Sequence, residues 1–307
     1  VLQGDSYDSV IEPYMRPEAL KGREKEKLDS TVVSQPAIFV ASMAAVEKLI
    51  ISLESYYDVI ASLAKLNKVT ELAEEKNGEI VFANQNEGIE IEFKNVDFYF
   101  NSNVHILQDI NCIIRENSIT VISGELGSGK SLLLNMMAGF YEPPAGSVMF
   151  NKIPLKNIDK EKLRMEMGVY LEDMRMIQGT VQDNILMGNE NINMEDVMEL
   201  SERIGAENIS SQFTSGFFTE ISETDPEISF SSKKKILLLR ALIGDKKLLL
   251  LEDPIDGMNE IFKNKMLQYL KDISSKTTIV IVSQNSDILD YADHHLHLKN
   301  GILKTLS

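Results

Sequence analysis

One stretch restricts this chain more than any other. Gly124-Glu125-Leu126-Gly127-Ser128-Gly129-Lys130-Ser131 lies between the β-branched run Ile119-Thr120-Val121-Ile122-Ser123 and the helical run Leu132-Leu133-Leu134-Asn135-Met136-Met137-Ala138. It matches the pattern G-x-x-x-x-G-K-[ST], in the strand–loop–helix setting that the pattern requires. Glycines let the backbone wrap closely around a phosphate, while successive N–H groups and the helix N-terminus favour its negative charge. Lys130 then reaches the β- and γ-phosphates and the Ser131 hydroxyl holds Mg²⁺. Residues 124–131 are therefore expected to bind a nucleotide. A Gly-rich turn that merely precedes Lys-Ser is the competing reading, and the flanking strand and helix disfavour it.

Such a loop needs an acidic residue at the end of a buried strand to complete the metal shell. Leu248-Leu249-Leu250-Leu251-Glu252-Asp253-Pro254 supplies four apolar residues and then two carboxylates. One can serve Mg²⁺ through water while its neighbour polarises an attacking water.

Composition narrows the partners. The 307 residues hold 47 acidic against 31 basic side chains, a formal charge of −16. That excess repels phosphate backbones, so binding nucleic acid through a general basic surface is not expected. The single cysteine, Cys112, excludes an internal disulfide framework and a multi-Cys zinc site, and fits a reducing compartment. No run of about 18 apolar residues exists to span a bilayer as a helix. Ala37 to Val46 is the longest apolar candidate near the N-terminus and runs into Glu47 and Lys48. The opening Val1 suggests a fragment or a processed product.

Three regions follow from the patterning. Residues 1–35 read as a polar arm with Pro13, Pro17 and the charge run 21–27. Residues 36–86 hold a long helix and a linker: Val46, Leu49, Leu53, Tyr57, Ile60, Leu63 and Leu66 recur at helical spacing from about Ser42 to Glu75, and Lys76-Asn77-Gly78 is a stop signal. That helix either packs on its own domain or acts as a lever joined to another element. From 87 to 307, strand and helix patterns alternate, which implies an α/β domain with a mainly parallel central sheet. Alternation in 89–100 and 105–115 adds an antiparallel β layer, and a helical subdomain is expected at about 172–235.

The loop at 124–131, the strand and acid pair at 248–253 and the segments between them resemble the nucleotide-binding domain of the ABC transporter family, over about residues 88–307. Gly168-Val169-Tyr170-Leu171-Glu172-Asp173 belongs to the likeness, as does Gly179-Thr180-Val181-Gln182-Asp183-Asn184-Ile185, similar to the exporter pattern G-T-[IV]-x-[ED]-N-I. Arg240-Ala241-Leu242, ten residues before the acid pair, completes it. Residues 42–76 are similar to the helix that joins the last transmembrane segment of exporters to the ATPase domain. On that likeness Ala37–Val46 is the stub of a membrane helix. The resemblance implies a P-loop NTPase fold, MgATP as ligand, and a homodimer or heterodimer of ATP-binding domains. It also implies a transmembrane partner and a place on the cytoplasmic face of the plasma membrane.

The chain departs from the family pattern at most motifs outside the loop. The usual Asp-Glu pair is inverted to Glu252-Asp253. Glu252 still holds Mg²⁺, but Asp253 as base is shorter by about 1.5 Å, and a shift of about 1 Å costs on the order of a hundredfold in rate. The signature L-S-G-G-Q aligns with Ile228-Ser229-Phe230-Ser231-Ser232. Ser229 keeps a hydroxyl for a partner subunit's γ-phosphate, while Phe230 stands where backbone approach calls for glycine. The simpler reading there is a helix start, with Ser231 or Ser232 capping Lys233 to Leu242. Glu172 takes the Q-loop position as a ligand for Mg²⁺ or water. Ser283 takes the switch-histidine position, donating a hydrogen bond without sharing a proton as imidazole does. Phe100 aligns with the adenine-stacking aromatic, or else packs in the core, and Tyr99 lies beside it. Asp256-Gly257-Met258-Asn259 aligns with the D-loop. His294, His295 and His297 lie too far along to replace the switch histidine and are expected on a solvated surface. Two functions remain open: an ABC-type ATPase in which Asp253 activates water, or a non-hydrolysing module that clamps MgATP while a partner hydrolyses it.

Overall fold

The computed structural model describes residues 23–71, 75, 77–81, 88–99, 105–223, 225 and 228–306, with the backbone alone for 23–38 and Val69. The chain divides into two compact units, Val1–Glu75 and Lys76–Ser307.

Among its described residues the first unit holds the helix α1 (Arg23–Thr70), of 48 residues. At a rise of about 1.5 Å per residue it is roughly 72 Å long. It begins well before the expected Ser42, inside the segment read as a polar arm, because Arg, Glu and Lys between 23 and 27 are good helix formers. It ends at Thr70 rather than near Lys76, where the Glu71 amide closes the last turn on the Asn67 carbonyl at 2.9 Å. The apolar stripe from Val46 to Leu66 is exposed, and Phe39, Met43, Ile50, Ile51 and Val59 widen it. Among the described residues, no helix is long and apolar enough to cross a membrane.

The second unit is built on a six-stranded sheet in the order β12-β11-β3-β10-β9-β6. These strands are β3 (Ile119–Gly124), β6 (Met167–Tyr170), β9 (Leu248–Glu252), β10 (Thr278–Val282), β11 (His294–Lys299) and β12 (Ile302–Leu306). All neighbours are parallel except the edge pair β11–β12. Runs without alternation at 248–251 and 278–282 follow from burial on both faces. Side chains alternate between two cores. Ile119, Val121, Leu249, Leu251, Ile279 and Ile281 enter one, and Ile122, Leu248, Leu250, Val280 and Val282 enter the other.

The second core is closed by an antiparallel sheet in the order β2-β1-β4-β5. Its strands are β1 (Ile91–Tyr99), β2 (His105–Ile114), β4 (Ala145–Phe150) and β5 (Ile153–Pro154), and the helix α2 (Lys130–Met137) lies in the same core. Short helices α3 (Lys160–Met165), α4 (Val181–Leu186) and α5 (Met194–Arg203) follow, together with the small ladder of β7 (Gly179–Thr180) and β8 (Glu220–Ile221). With 3₁₀ turns at Glu207–Gln212 and Gly216–Phe218, α4 and α5 form the expected helical region. Helices α6 (Phe230–Leu242), α7 (Glu260–Ile273) and α8 (Ser286–Leu289) complete the order. The fold is thus the expected α/β arrangement of a P-loop NTPase.

Candidate nucleotide site

The loop opens from β3, which is hydrogen-bonded on one side to β10 and on the other to β11. At Gly124 the backbone has φ +152°, and a methyl would overlap the Leu298 carbonyl. Gly129 ends the loop in the left-handed region, at φ 102°, as the N-cap of α2. Leu126 stands at the tip, 98% exposed.

Lys130 Nζ donates to the Gly124 carbonyl at 2.7 Å and to the Glu125 carbonyl at 2.8 Å, so the ammonium lies across the loop. Burial pulls it below the ordinary lysine value, and the carboxylates of Asp253 and Glu252 act against that. Gln284 Nε2 also donates to the Gly124 carbonyl, at 2.6 Å. Sequence reasoning missed this amide, which carries no motif of its own.

The Ser131 hydroxyl donates to Glu252 Oε1, and the Glu172 backbone N–H reaches Glu252 Oε2 at 3.2 Å. Hydroxyl and carboxylate oxygens in contact at the mouth of the loop form a hard donor set, as Mg²⁺ prefers. Among the described residues, no group of three or more His, Cys, Asp or Glu side chains could hold a metal. The residues thus fit an ion that takes one or two protein ligands and completes its shell with water and phosphate.

Asp253 follows with φ 44°, its N–H donating to the Val282 carbonyl at 2.8 Å. Its Oδ1 accepts the Ser283 hydroxyl at 2.6 Å, and Ser283 is buried. Glu172, Glu252 and Asp253 border, with Lys130 and Ser131, a cleft of about 610 Å³. Burial and the nearby carboxylates of Glu172, Glu252 and Asp253 push the Tyr170 hydroxyl up.

A second lysine belongs to this constellation. Lys234 is buried, and its Nζ donates to the carbonyls of Asp253 and Asp256, both at 2.7 Å. Burial lowers its ammonium, while Asp256, Asp253 and Glu172 pull the other way. Within the run Lys233-Lys234-Lys235 nothing in the sequence marks Lys234 and Lys235 as the buried ones.

The helix start differs from expectation. Ser229, not Ser231 or Ser232, is the N-cap of α6, accepting from the Ser232 amide at 3.1 Å. The Ser232 hydroxyl donates to Gln212 Oε1 at 2.5 Å, which leaves Ser229 as donor to Ser232 Oγ at 2.7 Å. Capping one residue further out satisfies an N–H that Phe230, without a polar side chain, cannot reach. Phe230 is 68% exposed, and its ring edge covers Gly257. Asn259 caps α7 by accepting from the Phe262 amide at 2.9 Å.

The histidines depart from a merely solvated patch. Ser123 Oγ lies 2.7 Å from His295 Nε2 and 2.9 Å from His297 Nδ1, one residue before the loop. Parallel pairing of β11 with β3 places both rings beside that hydroxyl. Phe100 lies outside the described residues; Tyr99 packs against the His105 ring at 5.2 Å between centroids. The Gly179–Ile185 segment builds a capping box of Thr180 with Asp183. It also buries Asn184, which Arg240 contacts through Nη2 at 2.9 Å.

Residues 107–256, which contain the loop, both carboxylates and the capped signature-like segment, match the model of the ABC transporter family. This stretch belongs to the ABC transporter family. The chain is 27% identical over 250 residues to the uncharacterised ABC transporter ATP-binding protein YknV of Bacillus subtilis, covering 80% of this chain and 41% of that protein. It is 28% identical over 214 residues to ABC transporter B family member 15 of Arabidopsis thaliana, covering 69% of this chain and 17% of that protein. The chain therefore spans well under half the length of these relatives. The fold is similar to that of a bacterial Atm1-family ABC exporter with ATP bound, at a TM-score of 0.70 and 18% identity, covering 80% of this chain and 43% of that one.

Proposed function

We propose that residues 87–307 are the ATP-binding and ATPase domain of an ABC exporter, binding MgATP at the loop and driving transport as a dimer. The observation that carries this reading is the continuous line Ser131–Glu252, Asp253–Ser283 along the rim of the loop. Support also comes from the exporter fold likeness and from the long helix α1 ahead of the domain. A transmembrane domain is the partner implied, on the cytoplasmic face of the plasma membrane. The −16 charge argues against nucleic acid.

In this mechanism Lys130 gives up its two carbonyl contacts and turns its ammonium to the β- and γ-phosphates. Ser131 and Glu252 would hold Mg²⁺, with Glu172 alongside for the ion or one of its waters, and the ion would neutralise charge on those phosphates. Asp253 uses the carboxylate oxygen that Ser283 does not occupy to orient water and take its proton. Ser283 fixes the carboxylate by donating a hydrogen bond and relays no proton.

The second reading, a module that clamps MgATP while a partner subunit hydrolyses it, is favoured by one observation. The Ser229 hydroxyl is spent inside its own helix start, and the next residue is the bulky, exposed Phe230. Steady-state ATP turnover across a protein concentration series, with Lys130→Ala as control, separates the two. Turnover that steepens with concentration and vanishes in the control establishes a dimeric ATPase. Nucleotide binding with no turnover at any concentration establishes the clamp.

A further inference from the structure

We propose that Lys234 is a positioning residue for Asp253, an internal strut that ties α6 to the turn carrying the catalytic carboxylate. The inference rests on the ATPase reading above for its consequence, though not for its geometry. Asp253 sits in the left-handed region, at φ 44°, where a non-glycine residue is held only by its surroundings. Its N–H is fixed to the Val282 carbonyl and its side chain to Ser283. Its carbonyl accepts from the ammonium of the buried Lys234 at 2.7 Å, as does the Asp256 carbonyl.

The ammonium is enclosed as well as bonded. Nζ lies 5.8 Å from the ring centroid of Tyr170 on β6 and 5.8 Å from that of Phe230 at the start of α6. Both rings present faces that favour a cation. A lysine this buried is expensive unless paired; here two carbonyls and two rings satisfy it. The turn 253–256 otherwise has few bonds of its own: the Asp256 amide reaches the Asp253 carbonyl at 3.3 Å, and the Met258 amide reaches the Ile255 carbonyl at 3.2 Å. Lys234 thus holds two carbonyls that this loose turn would otherwise leave in the interior without a charged donor. It touches no nucleotide and takes no proton; it acts through the backbone of Asp253.

The same device links two places. Residues 229–230 begin α6, Lys234 lies one turn later, and Phe230 packs on both Lys234 and Gly257. A disturbance at the signature-like segment is therefore transmitted to Asp253 by a single side chain.

The test compares the full chain with Lys234→Met and Lys234→Arg, reading amide hydrogen exchange across 253–258, ATP affinity and ATP turnover. Lys234→Met is expected to speed exchange at the Asp256 and Met258 amides about tenfold relative to amides of β10. Turnover falls about tenfold with ATP affinity within twofold, a split that general loss of stability would not produce. Lys234→Arg, which keeps donors for both carbonyls, is expected within about threefold of the parent on each readout. Should Lys234→Met not fold, Lys234→Gln, whose reach is shorter, is measured at the same amides. Unchanged exchange at 253–258 in the variant overturns the strut, even if the parent hydrolyses ATP normally. Faster exchange there in a chain that shows no turnover supports the strut while the ATPase reading falls.

Discussion

Ser283 donates its hydroxyl to Oδ1 of Asp253 across 2.6 Å, from a side chain that is itself buried. One carboxylate oxygen therefore carries the Ser283 bond, and Asp253 borders the cleft. Serine also accepts from the Asn285 amide at 3.1 Å, so its rotor is fixed at both ends. Ser283→Ala is expected to lower turnover about tenfold, equivalent to about 1.4 kcal/mol, with ATP affinity unchanged. Single-turnover kinetics alongside nucleotide titration check the split; equal turnover would mean the backbone alone holds Asp253.

Gly168 lies where β6 passes the end of α6 so closely that a methyl would run into the Ala241 carbonyl. Backbone, not a pliable side chain, stands in the way. Gly168→Ala should destabilise the domain by about 2 kcal/mol or more. Denaturant melts should show the loss while ATP affinity of the folded fraction stays as in the parent.

Asn184 is fully buried and its side chain makes four hydrogen bonds to three neighbours. Its Oδ1 accepts from the Ile177 amide and from Arg240, and its Nδ2 donates to the carbonyls of Ile177 and Thr180. Asn184→Ala strands these groups away from water, a cost of about 3 kcal/mol. Urea unfolding measures it, and Asn184→Asp should be worse for the two carbonyls than for Arg240.

His295 is held below the ordinary histidine value, first by burial and then by the neighbouring His297. The folded state thus resists a proton that the unfolded chain accepts below about pH 6.5. Stability rises with pH in that window and is lost as pH falls through the lowered value. His295→Gln should flatten the slope of melting temperature against pH between about 6.5 and 5; an unchanged slope would show that other groups set it.

Much of this architecture was legible because it rests on local pattern. The loop, the strand of four leucines and the alternation up to Tyr99 each state their own geometry, and all stand where the periodicity put them. The features that escaped are tertiary. Burial of Lys234 depends on carbonyls 19 and 22 residues away, and lysine's usual exposure argues the other way. His295 and His297 were expected on a solvated surface, but the pairing of their strand with β3 brings both rings to Ser123. The start of α6 moved to Ser229 because capping is decided by which hydroxyl reaches an amide, and three serines competed for it.

The position of β3 between two parallel neighbours has a thermal consequence. The loop cannot be loosened at its root without parting β3 from β10 and β11, and those pairings hold both cores together. Whatever binds the loop is thus linked by mass action to the melting of the whole domain. A ligand at a hundred times its dissociation constant adds about 2.7 kcal/mol of stability. With nucleotide as the proposed ligand, its supply sets not only occupancy but how long the domain lasts against heat and proteolysis.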